Sequence, residues 1–166
     1  MSLVRAQRYV HSVDLIDVDE LRRQGIRCVL LDRDNTLVPR DATCAPPEIA
    51  DWLTRLRQAG IAVCMVSNNF HTKEVCASAE ELNCAVVHHA MKPAPIAVWR
   101  AMLLCGVTPE QTLLIGDQLF TDMIAGNLAG VQTVLVRPQS VKDLWYTLLL
   151  RKAENILLRG AVYEGE

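Results

Sequence analysis

No C-x-x-C pair occurs among the six cysteines (Cys28, Cys44, Cys64, Cys76, Cys84, Cys105), and no histidine stands at zinc spacing from any of them. This argues against a zinc ribbon or a dithiol redox centre. Cys28, Cys64 and Cys84 sit inside apolar runs, where cysteine acts as a small hydrophobe. The set therefore reads as free thiols in a reducing compartment. Neither sign of charge dominates: 17 Lys and Arg face 19 Asp and Glu, and a formal net charge of −2 leaves no dominant nucleic-acid surface. Aromatic residues make up only 5% of the chain, and Trp99 and Trp145 read as packing residues. No apolar run approaches the ~20 residues that cross a bilayer. The opening MSLVRAQRYVHSVD lacks the long apolar core of a secretory signal. With 51% hydrophobic residues over 166 positions, disorder is excluded, and the expectation is one domain, 1–166, in the cytoplasm.

What is present is a regular alternation. Short apolar runs at Cys28–Leu31, Ile61–Val66, Cys84–Val87, Thr112–Ile115 and Val131–Val136 show almost no polar alternation. That is the pattern of parallel strands buried on both faces. Helical segments at Pro46–Ala59, His71–Leu82, Pro95–Cys105 and Phe120–Ala129 separate them, and Gly60, Gly106 and Gly130 stand where three of these should stop. The chain is predicted to be a doubly wound α/β domain with a core over 26–137. Residues 1–25 read as an arm with a short helix, Val18–Gln24. Residues 139–160 form an amphipathic helix patterned by Val141, Leu144, Trp145, Leu148 and Leu149.

Ligands of an open parallel sheet bind beyond the carboxyl ends of its strands. There the sequence places Asp32, Asp34 and Thr36 after the first run, Ser67, Asn68 and Asn69 after the second, Lys92-Pro93 beyond the third, and Asp117 and Asp122 after the fourth. Carboxylates gathered at one edge need a compensating cation, and oxygen ligands suit Mg²⁺. A lysine and a hydroxyl beside them suit phosphoryl transfer, with a carboxylate as the possible nucleophile. Each residue alone has a plainer reading. Asn35 and Asn69 fit turn chemistry, Ser67 could cap the 71–82 helix, and Asp122 could favour the start of the next helix. His71 reads as a helix-start residue. His88 and His89 could pack, lie at the surface or touch substrate.

Together, Asp32-x-Asp34-x-Thr36, Ser67, Lys92-Pro93 and Gly116-Asp117-x-x-x-x-Asp122 resemble the haloacid dehalogenase superfamily, in its order of motifs. A narrower resemblance is to its subfamily IIIA phosphatases of the YqeG type, which are similar to mitochondrial phosphatidylglycerophosphatases. It is carried by Leu31-Asp32-Arg33-Asp34-Asn35-Thr36-Leu37-Val38, by Gly116-Asp117-Gln118-Leu119-Phe120-Thr121-Asp122, by the arm ending in Gly25-Ile26, and by a basic C-terminal helix with Arg151 and Glu154. Arg33 departs from the aliphatic residue often found there. The resemblance implies a Rossmann-like five-stranded parallel sheet of order 5-4-1-2-3. It also implies a Mg²⁺-dependent phosphomonoester hydrolase. In that mechanism Asp32 attacks phosphorus and ligates Mg²⁺, while Asp34 donates and then removes a proton and offers its carbonyl to the metal. Thr36 supports the loop and Asp34. Ser67 and the N–H of Asn68 hold the phosphoryl group, Lys92 neutralises charge, Asp117 ligates Mg²⁺, and Asp122 orients water or Lys92 from behind.

About ten residues separate Thr36 from Pro46, and one helix and one strand fill the gap to Lys92, so no cap domain fits. An open site suits a phosphate on something large, such as a lipid head group. It also suits a small soluble phosphate, a nucleotide or sugar phosphate, if a loop or a homo-oligomer supplies a lid. Between Arg137 and Arg159, five basic residues face two acidic ones, which would let the last helix lie on an anionic membrane. The plainer expectation is that its apolar face docks on the sheet. Two other classes compete: a phospho-accepting receiver domain, disfavoured because the third strand ends in His88-His89, and a non-catalytic phosphate-binding scaffold.

Overall fold

The computed structural model describes residues 2–166. Its elements are β1 (Arg8–Val10), α1 (Val18–Arg23), β2 (Cys28–Leu31), α2 (Pro47–Gln58), β3 (Ala62–Val66), α3 (Thr72–Glu81), β4 (Ala85–Val87), α4 (Ile96–Cys105), β5 (Thr112–Gly116), α5 (Ile124–Ala129), β6 (Gln132–Val136) and α6 (Trp145–Leu157). All strand pairs are parallel, and the sheet runs β1-β6-β5-β2-β3-β4. This corrects the expected count of five strands: β1 is added at the edge beside β6, while the strands from β2 onward, counted from one, run 5-4-1-2-3. The arm contributes a sixth strand, β1, which pairs with β6 at the edge from Arg8 opposite Val134 to Val10 opposite Val136. Arg8-Tyr9-Val10 is short and flanked by polar residues, so its pairing comes from contacts distant in sequence.

Burial explains why the central runs lack alternation. Val29, Leu31, Val63, Met65, Leu113 and Ile115 face one core with Trp52, Leu53 and Leu56 of α2 and Val75 and Ala79 of α3. The intervening Cys28, Leu30, Cys64, Val66 and Leu114 face the opposite core with α4 and α5. Each strand is apolar on both sides because helices cover both sides. Trp52, fully buried, also donates its Nε1–H to the Ile16 carbonyl at 2.8 Å, tying α2 to the N-terminal arm. No cysteine is bonded to another: Cys28 and Cys64 are buried free thiols, and Cys44 is exposed.

Two expected helices differ. The Phe120–Ala129 segment begins as a π-helical turn, Leu119–Met123, before α5 proper. Such turns recur at functional sites, and this one contains Asp122. The C-terminal helix does not lay its apolar face on the sheet. Its buried residues are Thr147 and Glu154, with Arg151 half-buried between them. Trp145, Leu149 and Ile156 point outward, Trp145 at 74% exposure, so it is not the packing residue expected, and Val141 and Leu144, expected within the helix, precede α6. The spacing 147, 151, 154 is a helical stripe, but here the polar stripe faces the protein. Among the described residues no helix is long and apolar enough to cross a membrane.

Candidate active site

Four strand ends deliver the predicted residues to one place. Asp32 leaves β2 with its N–H on the Ile115 carbonyl of β5 at 3.0 Å, so adjacent strands fix where it stands. Asp117 leaves β5 directly. Lys92 follows β4 by a loop held in the Asn68 side chain: Nδ2 donates to the Lys92 carbonyl at 2.9 Å and Oδ1 accepts the Lys92 N–H at 2.8 Å. The Lys92–Pro93 bond is cis.

Lys92 is buried, and its Nζ donates to Asp32 Oδ1 and Asp122 Oδ1, both at 2.6 Å. Asp122 Oδ2 accepts the Gln118 N–H at 3.1 Å. Asp122 thus braces the lysine from behind. Gly116 makes this possible, because a Cβ there would fall on the Asp122 carboxylate. One carboxylate oxygen each of Asp32, Asp117 and Asp122 lies within 4.8 Å of the others.

The electrostatics follow from burial. Desolvation raises the Asp32 carboxyl well above the usual carboxylate range; Lys92 opposes this, while Asp122, Asp117 and Asp34 add to it. Burial works against the Lys92 ammonium, yet Asp122 and Asp32 outweigh it and its pKa lies above that of ordinary lysine. Asp117 is pushed up to about 7, by burial first and by Asp122, against the pull of Arg151. Six carboxylates at the site (Asp32, Asp34, Asp117, Asp122, Asp143, Glu154) face four cations (Arg33, Arg40, Lys92, Arg151) through ion pairs. The formal deficit of two charges, beside oxygen donors within reach of one another, is what a hard divalent cation neutralises.

Other expected residues need adjustment. The Thr36 hydroxyl faces Asp117 Oδ1, at 3.4 Å, rather than Asp34. Asp34 Oδ1 takes Arg33 Nη1 at 2.5 Å, and its Oδ2 takes Asn69 Nδ2 at 3.0 Å, with Arg40 at 3.5 Å. The departure at Arg33 therefore has a role: its Nε is anchored by Ser78 Oγ at 2.9 Å and its other end holds Asp34. Ser67 is buried and accepts the Asn69 N–H, and it does not cap α3, whose N-cap is His71. Asn35 has the left-handed backbone of a turn residue, with φ 63°. His88 and His89 are exposed and outside the cavity, and His89 Nε2 pairs with Thr72 Oγ1 at 3.0 Å.

A cavity of about 180 Å³ opens over this cluster. Asp32, Asp34, Asn68 and Lys92 line it together with Asn69, Phe70 and His71. Leu144, Tyr146, Thr147 and Leu150 of the C-terminal segment also line it. Sequence reasoning took Asn69 for a turn residue and assigned no site role to Arg40, Phe70 or Asp143. An acid or amide in a loop carries no local signal of what it meets 100 residues away.

The family model for mitochondrial PGP phosphatases matches residues 3–141. The "Probable phosphatase YqeG" of Bacillus subtilis is 32% identical over 157 residues, which span 95% of this chain and 91% of that protein. Phosphatidylglycerophosphate phosphatase 1, chloroplastic/mitochondrial, of Arabidopsis thaliana is 26% identical over 165 residues, covering 94% of this chain and 47% of its own length. Among solved structures, the cobalt-bound deoxy-D-mannose-octulosonate 8-phosphate phosphatase of Haemophilus influenzae aligns with a TM-score of 0.56. That alignment covers 82% of this chain and 89% of the other at 17% identity, a likeness of fold.

Proposed function

Since the chain belongs to the PGP phosphatase family, and so to the phosphoric monoester hydrolases of haloacid dehalogenase type, we propose that it hydrolyses phosphatidylglycerophosphate at an anionic membrane surface, through an aspartyl-phosphate at Asp32 and with Mg²⁺. In this reading Asp32 attacks phosphorus with the oxygen not bound to Lys92, and the bond to the leaving oxygen breaks. Asp34, lining the cavity two residues on, exchanges one of its present partners for the leaving oxygen and gives it a proton. It then takes a proton from the water that attacks the acyl phosphate, which releases inorganic phosphate and restores Asp32. Lys92 offsets charge on the transferred group. Ser67 and the Asn68 N–H support its oxygens. Asp32, Asp117 and the Asp34 carbonyl would hold Mg²⁺, which supplies charge neutralisation for the carboxylates and the phosphoryl oxygens.

The observation that carries the lipid reading is the orientation of α6. Its inner face builds a wall of the cavity, while its outer face exposes Trp145, Leu148, Leu149 and Ile156 to solvent. Lys142, Lys152 and Arg159 on this segment join no ion pair among the described residues. Such a helix suits an anionic interface, where each basic side chain is worth about 1 kcal/mol. The cavity is small, so it can take a phosphoryl head group while the rest of a large substrate stays outside.

The test is Mg²⁺-dependent phosphate release from a panel of phosphatidylglycerophosphate in anionic mixed micelles, mononucleotides, sugar phosphates and an aryl phosphate. The lipid should be strongly preferred. The double variant Trp145→Ser/Leu149→Ser should lose about a hundredfold on the lipid and keep aryl phosphatase activity, because about 3 kcal/mol of apolar burial is removed from the interface alone, at about 1.4 kcal/mol per factor of ten. A preference for soluble phosphates, unaltered by the double variant, would overturn the lipid reading.

A further inference from the structure

The polar stripe of α6 ends on the metal-binding side of the site. Arg151 Nη1 donates to the Asp117 carbonyl at 2.9 Å, and Nη2 donates to Asp117 Oδ2. Nε and Nη2 also reach Asp143 Oδ2, at 3.1 and 2.9 Å. Asp117 is therefore held at two points by one planar guanidinium, while Thr36 takes its other carboxylate oxygen. One turn on, Glu154 Oε1 accepts the Phe120 N–H at 3.2 Å, which pins the turn that carries Asp122. Asp143 continues the chain outward: Arg40 Nε lies 3.1 Å from its Oδ1, and Arg40 Nη2 is 3.5 Å from Asp34 Oδ2. An unbroken line of alternating charges thus runs Asp117, Arg151, Asp143, Arg40, Asp34, joining the two ends of the site through the segment after β6. Arg151 itself does not line the cavity.

We infer that Arg151 is a positioning residue for the reaction: it sets the orientation of Asp117, and with Asp143 it makes docking of the C-terminal helix a condition of a competent metal site. This rests on the phosphatase reading above. The physical reason is the shape of the guanidinium. Its fork can hold a carboxylate, a carbonyl and a second carboxylate in one plane, whereas a lysine ammonium is a single point. Partners that orient a metal ligand from behind typically carry about 10- to 100-fold in metal affinity or activity.

Charge and orientation give opposite signs. If Arg151 acted only as a nearby positive charge, removing it would tighten Mg²⁺ binding, since one competing cation is gone. If it orients Asp117, removing it loosens binding. The experiment measures Mg²⁺ affinity by isothermal titration calorimetry, together with kcat and KM for an aryl phosphate, in the wild-type chain, Arg151→Ala, Arg151→Lys and Asp143→Asn. Ala153→Ser, exposed on the same helix, is the control. We expect Arg151→Ala to bind Mg²⁺ about tenfold more weakly and to lose about tenfold or more in kcat. KM should stay within about twofold, because the residue does not face the substrate. Arg151→Lys should recover only part of the loss. Asp143→Asn, which keeps the guanidinium but removes a charge that steadies it, should shift both values the same way by a smaller factor. Arg151→Lys, which keeps the charge and removes the fork, serves as the deciding variant if Arg151→Ala does not fold. Mg²⁺ affinity unchanged or tightened in Arg151→Lys and Asp143→Asn would overturn the inference. A wild-type chain that binds Mg²⁺ but turns over no phosphomonoester would instead sink the phosphatase reading, while weaker Mg²⁺ binding in the variants would still support the role of Arg151.

Discussion

Replacing Lys92 by methionine removes the cation that stands between two buried carboxylates. Its Nζ is 2.6 Å from both Asp32 Oδ1 and Asp122 Oδ1, and the side chains of Lys92 and Asp122 are each 1% exposed. Breaking a buried ion pair from one side costs about 3–5 kcal/mol, because the partner is left charged and without its solvent. At about 2–4 °C per kcal/mol for a chain of this size, the unfolding midpoint should fall by roughly 6–20 °C. The loss should depend on pH. Lys92 is the one neighbour that lowers the Asp32 carboxyl, against burial and three like charges. Without it, Asp32 holds its proton to higher pH and carries no unpaired charge in mildly acidic solution. The cost should therefore be smaller at about pH 5 than at about pH 8. Urea denaturation of both chains in Mg²⁺-free buffer at the two pH values measures it. A loss below about 1 kcal/mol at the higher pH, or an equal loss at both, would refute the argument.

Gly116→Ala should destabilise the chain by about 1–3 kcal/mol and lower activity, because the new Cβ displaces the Asp122 carboxylate that braces Lys92; thermal melting beside a phosphatase assay reads both. For the metal-free protein, Asp117 titrates near 7 and Asp32 well above its ordinary range. Both folded pKa values exceed the unfolded ones, so the folded chain binds more protons between them. Stability should then be highest below about pH 4 as far as these groups act, and fall as pH rises toward about 7. Mg²⁺ binds the ionised carboxylates and offsets this, so saturating Mg²⁺ should raise the melting midpoint more at about pH 8 than at about pH 5, by the order of the ~2.7 kcal/mol that a ligand at 100 times its Kd supplies. Calorimetric scans with and without Mg²⁺ check it, and equal shifts at both pH values would contradict it.

The edge that carries the candidate site was legible because its chemistry is local. Asp32, Asp117 and Lys92 each follow an apolar run or a short loop beyond one, and parallel strands must deliver such residues to a common edge. The runs of β2, β3, β5 and β6 were legible for a related reason, since burial on both faces removes alternation. What was not legible depends on partners far away in sequence. The pairing of β1 is made by β6, more than 100 residues on. Asn69 resembles any turn residue until its amide is seen on Asp34. In α6 the apolar periodicity was plain, but periodicity shows only that a helix has two faces. Arg151 and Glu154 turn the polar one inward because Asp117 and the Phe120 N–H wait there.

The proposed function stands on Asp32 as the nucleophile of a Mg²⁺-dependent phosphomonoesterase. Phosphate release from an aryl phosphate by the wild-type chain and by Asp32→Asn, at matched folded concentration and saturating Mg²⁺, tests it most directly. Asn keeps the size and the neighbours but cannot attack phosphorus, so the account expects turnover by the first chain and none by the second. Substantial hydrolysis by Asp32→Asn would contradict it.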